Sequence, residues 1–308
     1  MTLEIFGQKM KDRIQKKMGN DYEVDLDWFW ENNGRKNGRL TIREAGTNIC
    51  LAARLDRYFE MLEESVSEMD LEKAVEEVIR ECSRSIPMKE SVTEMGLRIT
   101  DYEFCKDRLL FKLVNTNWNQ ELLKEYSHVP FLDLSVLFYL MVGEDEGMSA
   151  TLLVNENLRK VWGVTAEELY QQALQNTPEK MPPVFIEMNA WTVTKMLAEP
   201  GRLPEMPKVE KMKRNTLYCL TNRSGRYGAA AIQYPGMLKE CAEKCGMDMV
   251  VFPCSVHEML FMPLGEGDSL DDFTELVRGI NQSELEEDEV LSDHVYRYDY
   301  KSGRLLIA

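Results

Sequence analysis

Residues 22–30 alternate with a single break, at Phe29. Tyr22, Val24, Leu26, Trp28 and Trp30 fall on one side of an extended chain, and Glu23, Asp25 and Asp27 fall on the other, with Glu31 following. Successive side chains of a strand point to opposite faces, so this pattern requires a sheet with one dry and one wet face. Antiparallel pairing provides such a sheet, whereas a parallel sheet covered on both sides does not. Leu40 and Ile42 resume the alternation after Asn33-Gly34 and Asn37-Gly38, residues that tolerate positive φ. A hairpin is expected, with both Asn-Gly pairs in its loop. The outward acids read as a solvated face rather than a cation site.

Amphipathic helices flank this hairpin. Leu3, Phe6, Met10, Ile14 and Met18 recur at helical spacing up to Gly19, with Lys9, Lys11, Arg13, Lys16 and Lys17 between them. A second helix starts with Asp70 as its N-cap and lines up Leu71, Ala74, Val75, Val78, Ile79 and Cys82. The stretch from Pro87 to Thr100 is polar and aperiodic, which marks a boundary. Residues 1–86 are thus expected to form a helix–hairpin–helix module, and residues 101–308 the main body, with a connector near 199–214.

In the body, Leu109 to Val114 and Leu132 to Val142 are apolar runs of strand length. Thr165-Ala166-Glu167-Glu168 is a capping box that opens a helix to about Asn176, closed by Pro178, Pro182 and Pro183. Phe185 to Ala198 is helix-like. Beyond the connector, Leu217–Leu220 and Gly228–Ile232 read as a strand pair, a helix runs from Pro235 to Gly246, and Met249–Phe252 and Met259–Met262 form a second pair. Ser269 then caps a helix with Phe273, Leu276, Val277 and Ile280 on its inner face. This ββαββα order, closed by a terminal hairpin from Val295 to Ile307, predicts an α+β fold of mainly antiparallel sheet with helices packed on it.

Composition narrows the function. The chain has 308 residues, and none of its apolar runs nears the roughly 20 residues that span a bilayer. The opening lacks the apolar core of a secretory signal, so a cytoplasmic location and no membrane partner are expected. With 53 acidic and 37 basic residues the net charge is -16, which disfavours general nucleic-acid binding. Lys208, Lys211, Lys213 and Arg214 are interrupted by Glu210 and read as a solvated connector.

Seven scattered cysteines form no disulfide framework, and Cys241 and Cys245 fit one apolar helix face with Leu238 and Ala242. His128, His257 and His294 lack metal-ligand spacing, so no metal is expected. Arg223-Ser224-Gly225-Arg226-Tyr227-Gly228 fits neither the Walker pattern nor the dinucleotide fingerprint, so no cofactor is expected. The 19 methionines suit core filling, or an adaptable surface for a protein partner.

One segment concentrates reactive chemistry. In Phe252-Pro253-Cys254-Ser255-Val256-His257-Glu258, Cys254 would attack, His257 act as base and Glu258 orient the ring. On an extended strand Cys254 and His257 point apart while Ser255 and His257 share a face. In a turn Cys254 and His257 converge. Both arrangements are open to the sequence.

Leu217 to Asn222, Tyr227-Gly228-Ala229-Ala230, Pro253 to Glu258 and Leu291-Ser292-Asp293 with Tyr296 and Tyr298, together with Asn155 to Gly163 and Asp133-Leu134, resemble an uncharacterised family of bacterial cytoplasmic proteins. The resemblance covers most of the chain and implies no reaction. It implies serine at the position of Cys254, and it retains Ser255, His257 and Glu258, so it shifts attention from the thiol to the hydroxyl. The leading expectation is a non-enzymatic binding or regulatory protein, for an unknown ligand or protein partner, with Asn222, Tyr227, Ser255, His257 and Glu258 as contacts. The alternative is a hydrolase-like enzyme using Ser255 or Cys254 with His257.

Overall fold

The first helix, α1 (Leu3–Met18), is capped by the Thr2 hydroxyl, which accepts the Ile5 N–H, and ends at Gly19, whose φ is 76°. Phe6, Met10 and Ile14 are its buried stripe. In the computed structural model, which describes residues 1–45, 50–60, 67–84, 89–145, 148–197 and 208–308, the chain forms two compact units. The first comprises Met1–Ile99 and Val142–Ala150, and the second Thr100–Met141 and Thr151–Ala308.

In the first unit, α1 is followed by β1 (Tyr22–Trp30), β2 (Lys36–Glu44), β3 (Cys50–Arg54), α2 (Leu55–Glu60), α3 (Glu68–Arg84) and α4 (Lys89–Arg98). The sheet order is β1-β2-β3, and Val24 pairs with Ile42 and Leu26 with Leu40 across the expected hairpin. These side chains join Phe6, Met10 and Ile14 of α1 and Leu71, Val75 and Val78 of α3 in one core.

Three local expectations are corrected here. Only Asn33 and Gly34 take positive φ in the hairpin loop, while Asn37 and Gly38 lie inside β2. Gly38 is there for close approach: a Cβ on it would stand 2.5 Å from Leu55 Cδ1. Asn37 is fully buried and accepts the N–H groups of Gly38 and Asp56. Ser67 rather than Asp70 caps α3, since its hydroxyl accepts the Asp70 N–H and the Asp70 carboxylate accepts the Ser67 N–H. The stretch read as aperiodic contains α4, whose described residues bury little besides Met95, too narrow a stripe to register as a period.

The chain continues through α5 (Tyr102–Cys105), β4 (Leu109–Asn115), α6 (Gln120–Glu125), β5 (His128–Phe131), β6 (Leu134–Asp145), β7 (Met148–Leu153), α7 (Glu156–Trp162), α8 (Ala166–Lys180), β8 (Pro183–Glu187), α9 (Met188–Leu197) and β9 (Tyr218–Asn222). After a 3-10 helix at Gly228–Gln233 come α10 (Met237–Cys245), β10 (Met249–Ser255), β11 (Glu258–Pro263), α11 (Leu270–Ser283), β12 (Tyr296–Asp299) and β13 (Arg304–Ile307). One sheet has the order β4-β6-β5 with β7 on β6, and a six-stranded sheet has the order β13-β12-β10-β11-β9-β8. The pairings of the six-stranded sheet are antiparallel throughout. The fold is α+β, with antiparallel sheets and helices.

Some elements differ from the sequence reading. Gly228–Ile232 forms the 3-10 helix, not a strand, so β9 pairs instead with β8, which takes the first part of the stretch read as helical. Gly-Ala-Ala-Ala has no branched side chain to favour a pleat, and its small residues bury completely against β9 and β11. The Thr165 capping box is present, but α8 carries Pro178 in its last turn and continues to Lys180. On α11 Val277 is buried whereas Leu276 is exposed. Lys211 and Lys213 flank the buried Met212, whose N–H bonds the Lys244 carbonyl, so this part of the connector is packed. Residues 198–207 lie outside the described residues.

Candidate functional site

β10 and β11 pair Phe252 with Leu260 and then Ser255 with Glu258, and the register shifts between the two pairs. The turn between the strands is therefore only Val256-His257. The Ser255 hydroxyl accepts the His257 backbone N–H at 3.1 Å, a side-chain-to-backbone bond that fixes such a tight turn. Ser255 thus meets His257 through the main chain. The side chain of Cys254 lies outside the described residues.

The imidazole is directed elsewhere. His257 Nδ1 accepts the Tyr227 backbone N–H at 3.2 Å, which leaves the ring proton on Nε2. Nε2 stands 3.4 Å from Glu289 Oε1. Glu289 reaches this point because the segment after α11 returns along the end of β10: the Val256 N–H bonds the Glu289 carbonyl, Ser255 bridges to Val290, and the Ser292 N–H bonds the Pro253 carbonyl. The carboxylate beside the ring is consequently Glu289, from the mostly acidic stretch 284–293. Glu258 accepts the Trp191 indole N–H at 3.0 Å and the Cys219 thiol at 3.6 Å.

Tyr227 completes the locus. It adopts the left-handed conformation, with φ 53°, a costly choice for a bulky residue. Its ring lies nearly parallel to the His257 ring, centroids 6.0 Å apart and planes at 15°. Lys112 Nζ from β4 sits 4.6 Å from its centroid, and Tyr139 from β6 meets it edge-on at 5.8 Å. Burial pushes the Tyr139 phenol well above its ordinary range, so it is a hydrogen-bond donor and a packing surface, not a base. Asn222, by contrast, is fully buried. Its amide donates to the Arg226 carbonyl at 2.8 Å and accepts the Ser224 hydroxyl at 2.8 Å, so it shapes the 222–226 loop that delivers Tyr227.

Gly228 allows this assembly. A Cβ there would lie 2.1 Å from Thr221 Oγ1, 2.4 Å from the His257 carbonyl oxygen and 2.8 Å from the Asn222 nitrogen. Thr221 Oγ1 itself donates to that carbonyl at 2.8 Å. The start of the 3-10 helix thus presses directly onto β9 and the β10–β11 turn.

A second polar cluster joins residues that are far apart in sequence. Asp133, in the turn before β6, accepts the Ser292 hydroxyl at 2.6 Å and His294 Nδ1 at 3.0 Å through one oxygen, and the Tyr296 hydroxyl at 2.5 Å through the other. The Asp133 side chain is 11% exposed and that of His294 45%. Ser292 and Tyr296 are fully buried. Burial first, then the Asp133 charge, drives the Tyr296 phenol far up, which keeps it a donor. The Asp133 carboxylate fixes the His294 ring and leaves Nε2 without a polar partner among the described residues. Spacing and periodicity do not reveal this pair, because 161 positions separate its members; Asp133, Ser292 and Tyr296 stand out only through the family resemblance.

Cys241 and Cys245 lie on the buried face of α10, where burial pushes the Cys241 thiol up to about 12. Among the described residues, no group of three or more His, Cys, Asp or Glu side chains is placed to hold a metal ion. Nor, among them, is any helix long and apolar enough to cross a membrane. No curated protein and no solved structure matches the chain. The resemblance drawn from its Leu-Thr-Asn, Gly-Ala-Ala and Ser-Val-His-Glu segments holds: a family model matches residues 3–300, and the chain belongs to that family, DUF5688, a family of unknown function.

Proposed function

We propose that this is a non-enzymatic cytoplasmic binding or regulatory protein whose ligand or partner docks on the Tyr227–His257 face of the second unit. The observation that carries this reading is the commitment of both His257 ring nitrogens, Nδ1 to a backbone N–H and Nε2 to Glu289. With its Nδ1 lone pair taken by the Tyr227 N–H, the neutral ring has no free acceptor for the Ser255 proton, and the Ser255 oxygen instead accepts the His257 main-chain N–H. What remains accessible is a half-exposed Tyr–His stack beside Lys112 and Arg226, a surface that offers aromatic, cationic and carboxylate groups together. A strained backbone at Tyr227 fits a residue held for contact rather than for packing alone. Asn222 and Ser255 act as its supports.

A fluorophosphonate probe and iodoacetamide test this reading on the folded chain. We expect no site-selective labelling of Ser255 or Cys254; stoichiometric labelling of either would overturn the binding reading in favour of the hydrolase-like one. One observation favours enzymatic chemistry at another place, namely the Asp133-oriented imidazole of His294, which has the form of a general base. Diethyl pyrocarbonate should then modify His294 before His257, and Asp133→Asn should slow that reaction. Equal reactivity of the two histidines would remove the second reading.

A further inference from the structure

The first unit contains a cleft of about 680 Å³ lined by Arg35, Arg54, Asp56, Arg57 and Glu60. This volume is in the range of small-ligand sites. Two nearly buried carboxylates hold its arginines, Asp56 in the lining and Glu31 behind it, with side chains 8% and 9% exposed. Arg54 Nη2 lies 3.0 Å from Glu31 Oε1 and 2.6 Å from Asp56 Oδ2. Arg35 Nη2 lies 3.3 Å from Asp56 Oδ2. These bonds fix the guanidinium planes without exhausting them, since each guanidinium carries five N–H donors.

The rim is more exposed. Glu60 is 64% exposed, and its Oε1 is 2.5 Å from Arg35 Nη2. Arg57 is also 64% exposed, with Nη1 3.0 Å from Glu81 Oε1. Arg35 Nη1 and Arg57 Nη2 have no polar partner among the described residues. Three guanidinium groups, those of Arg35, Arg54 and Arg57, converge on this cleft, each also paired with a carboxylate of Glu31, Asp56, Glu60 or Glu81.

An exposed ion pair such as Arg35–Glu60 contributes little and is readily exchanged. A ligand oxyanion would gain the same fork from Arg35 and a second contact from Arg57. We propose that this cleft binds a small oxyanion, a phosphate or a carboxylate group, which displaces Glu60 from Arg35 and spans to Arg57. Guanidinium forks match both groups bidentately. The site lies in the first unit and does not depend on the Tyr227–His257 reading.

The test is calorimetric titration of the full chain at low ionic strength with inorganic phosphate and, separately, with citrate, each against sodium chloride of equal ionic strength. We expect saturable binding of one or both, loss of at least about tenfold in affinity in Arg57→Ala, and in Glu60→Gln a gain of up to about fivefold, the fold-change that corresponds to releasing an exposed ion pair. Saturation by phosphate alone assigns a phosphorylated ligand, and saturation by citrate alone a carboxylate. Absence of saturation beyond the chloride control overturns the proposal. So does wild-type affinity in both Arg57→Ala and Arg35→Lys, each verified as folded by circular dichroism.

Discussion

Gly228→Ala is the most demanding single perturbation of the candidate site. The added methyl would lie 2.1 Å from Thr221 Oγ1, 2.4 Å from the His257 carbonyl oxygen and 2.8 Å from the Asn222 nitrogen, and two of these three are main-chain atoms. The two main-chain atoms cannot move as a flexible side-chain tip does, and Thr221 Oγ1 can turn away only by leaving the His257 carbonyl. Overpacking of this kind costs about 1–3 kcal/mol. Separating Thr221 from the His257 carbonyl, now joined at 2.8 Å, adds about 1 kcal/mol for a partly buried acceptor. Replacing glycine returns up to about 1 kcal/mol through the unfolded chain. The balance is a loss of about 1–3 kcal/mol, confined to the second unit.

Urea unfolding followed by circular dichroism gives the change in midpoint at constant slope. The His257 ring resonances give the site readout, because a displaced carbonyl alters the turn that holds the imidazole under Tyr227. Gly228→Ala should lower the midpoint and shift the His257 resonances together. A variant within about 0.5 kcal/mol of wild type, a typical surface effect, with an unmoved His257 signal, would refute the claim that close approach of the 3-10 helix builds the site.

Two further outcomes are expected. Gly279 lies exposed in the interior of α11, and a Cβ there meets nothing within 4 Å, so Gly279→Ala should stabilise by about 0.5–1 kcal/mol in the same unfolding assay. Asp56 is subject to opposing effects: burial raises its carboxyl, but hydrogen bonds from Arg54 and Asn37 outweigh it and hold the group at about 2 instead of the ordinary 3.8. A depressed folded value means stability that is complete above about pH 4 and is lost as pH falls toward 2; unfolding midpoints between pH 5 and 2.5 should show this for the first unit, with a flatter profile in Asp56→Asn.

Periodicity was enough to read the first unit's hairpin and its flanking helices because each buries one face, and a single buried face leaves a clean alternation or a clean 3.6-residue stripe. The same logic recovered the Thr165 capping box and the Ser269 cap, whose signals are local in sequence. It failed at Gly228–Ile232, where all positions are buried and no face is distinguished. It failed also at Phe185, since β8 is only five residues long and its partner β9 lies beyond a long connector. Gly38 resembled a turn residue because glycine supplies both positive φ and close approach, and only the neighbour, Leu55, tells the two apart.

The segment from Cys254 to Glu258 illustrates a more general limit. Its reactive residues are adjacent in sequence, yet a two-residue turn sends them in different directions: Ser255 to the main chain, His257 to Tyr227 and Glu289, Glu258 to Trp191 and Cys219. Adjacency along a strand end disperses side chains, whereas pairing of distant segments gathers them. Both histidine–carboxylate pairs of the second unit follow the second route, and both depend on the stretch between α11 and β12, which supplies Glu289 to one and His294 to the other. That stretch is acidic and aperiodic and therefore silent to pattern reading. Its backbone bonds to the end of β10 give it a fixed course, and that fixed course is the physical reason one loop can orient His294 and bring Glu289 to the His257 ring.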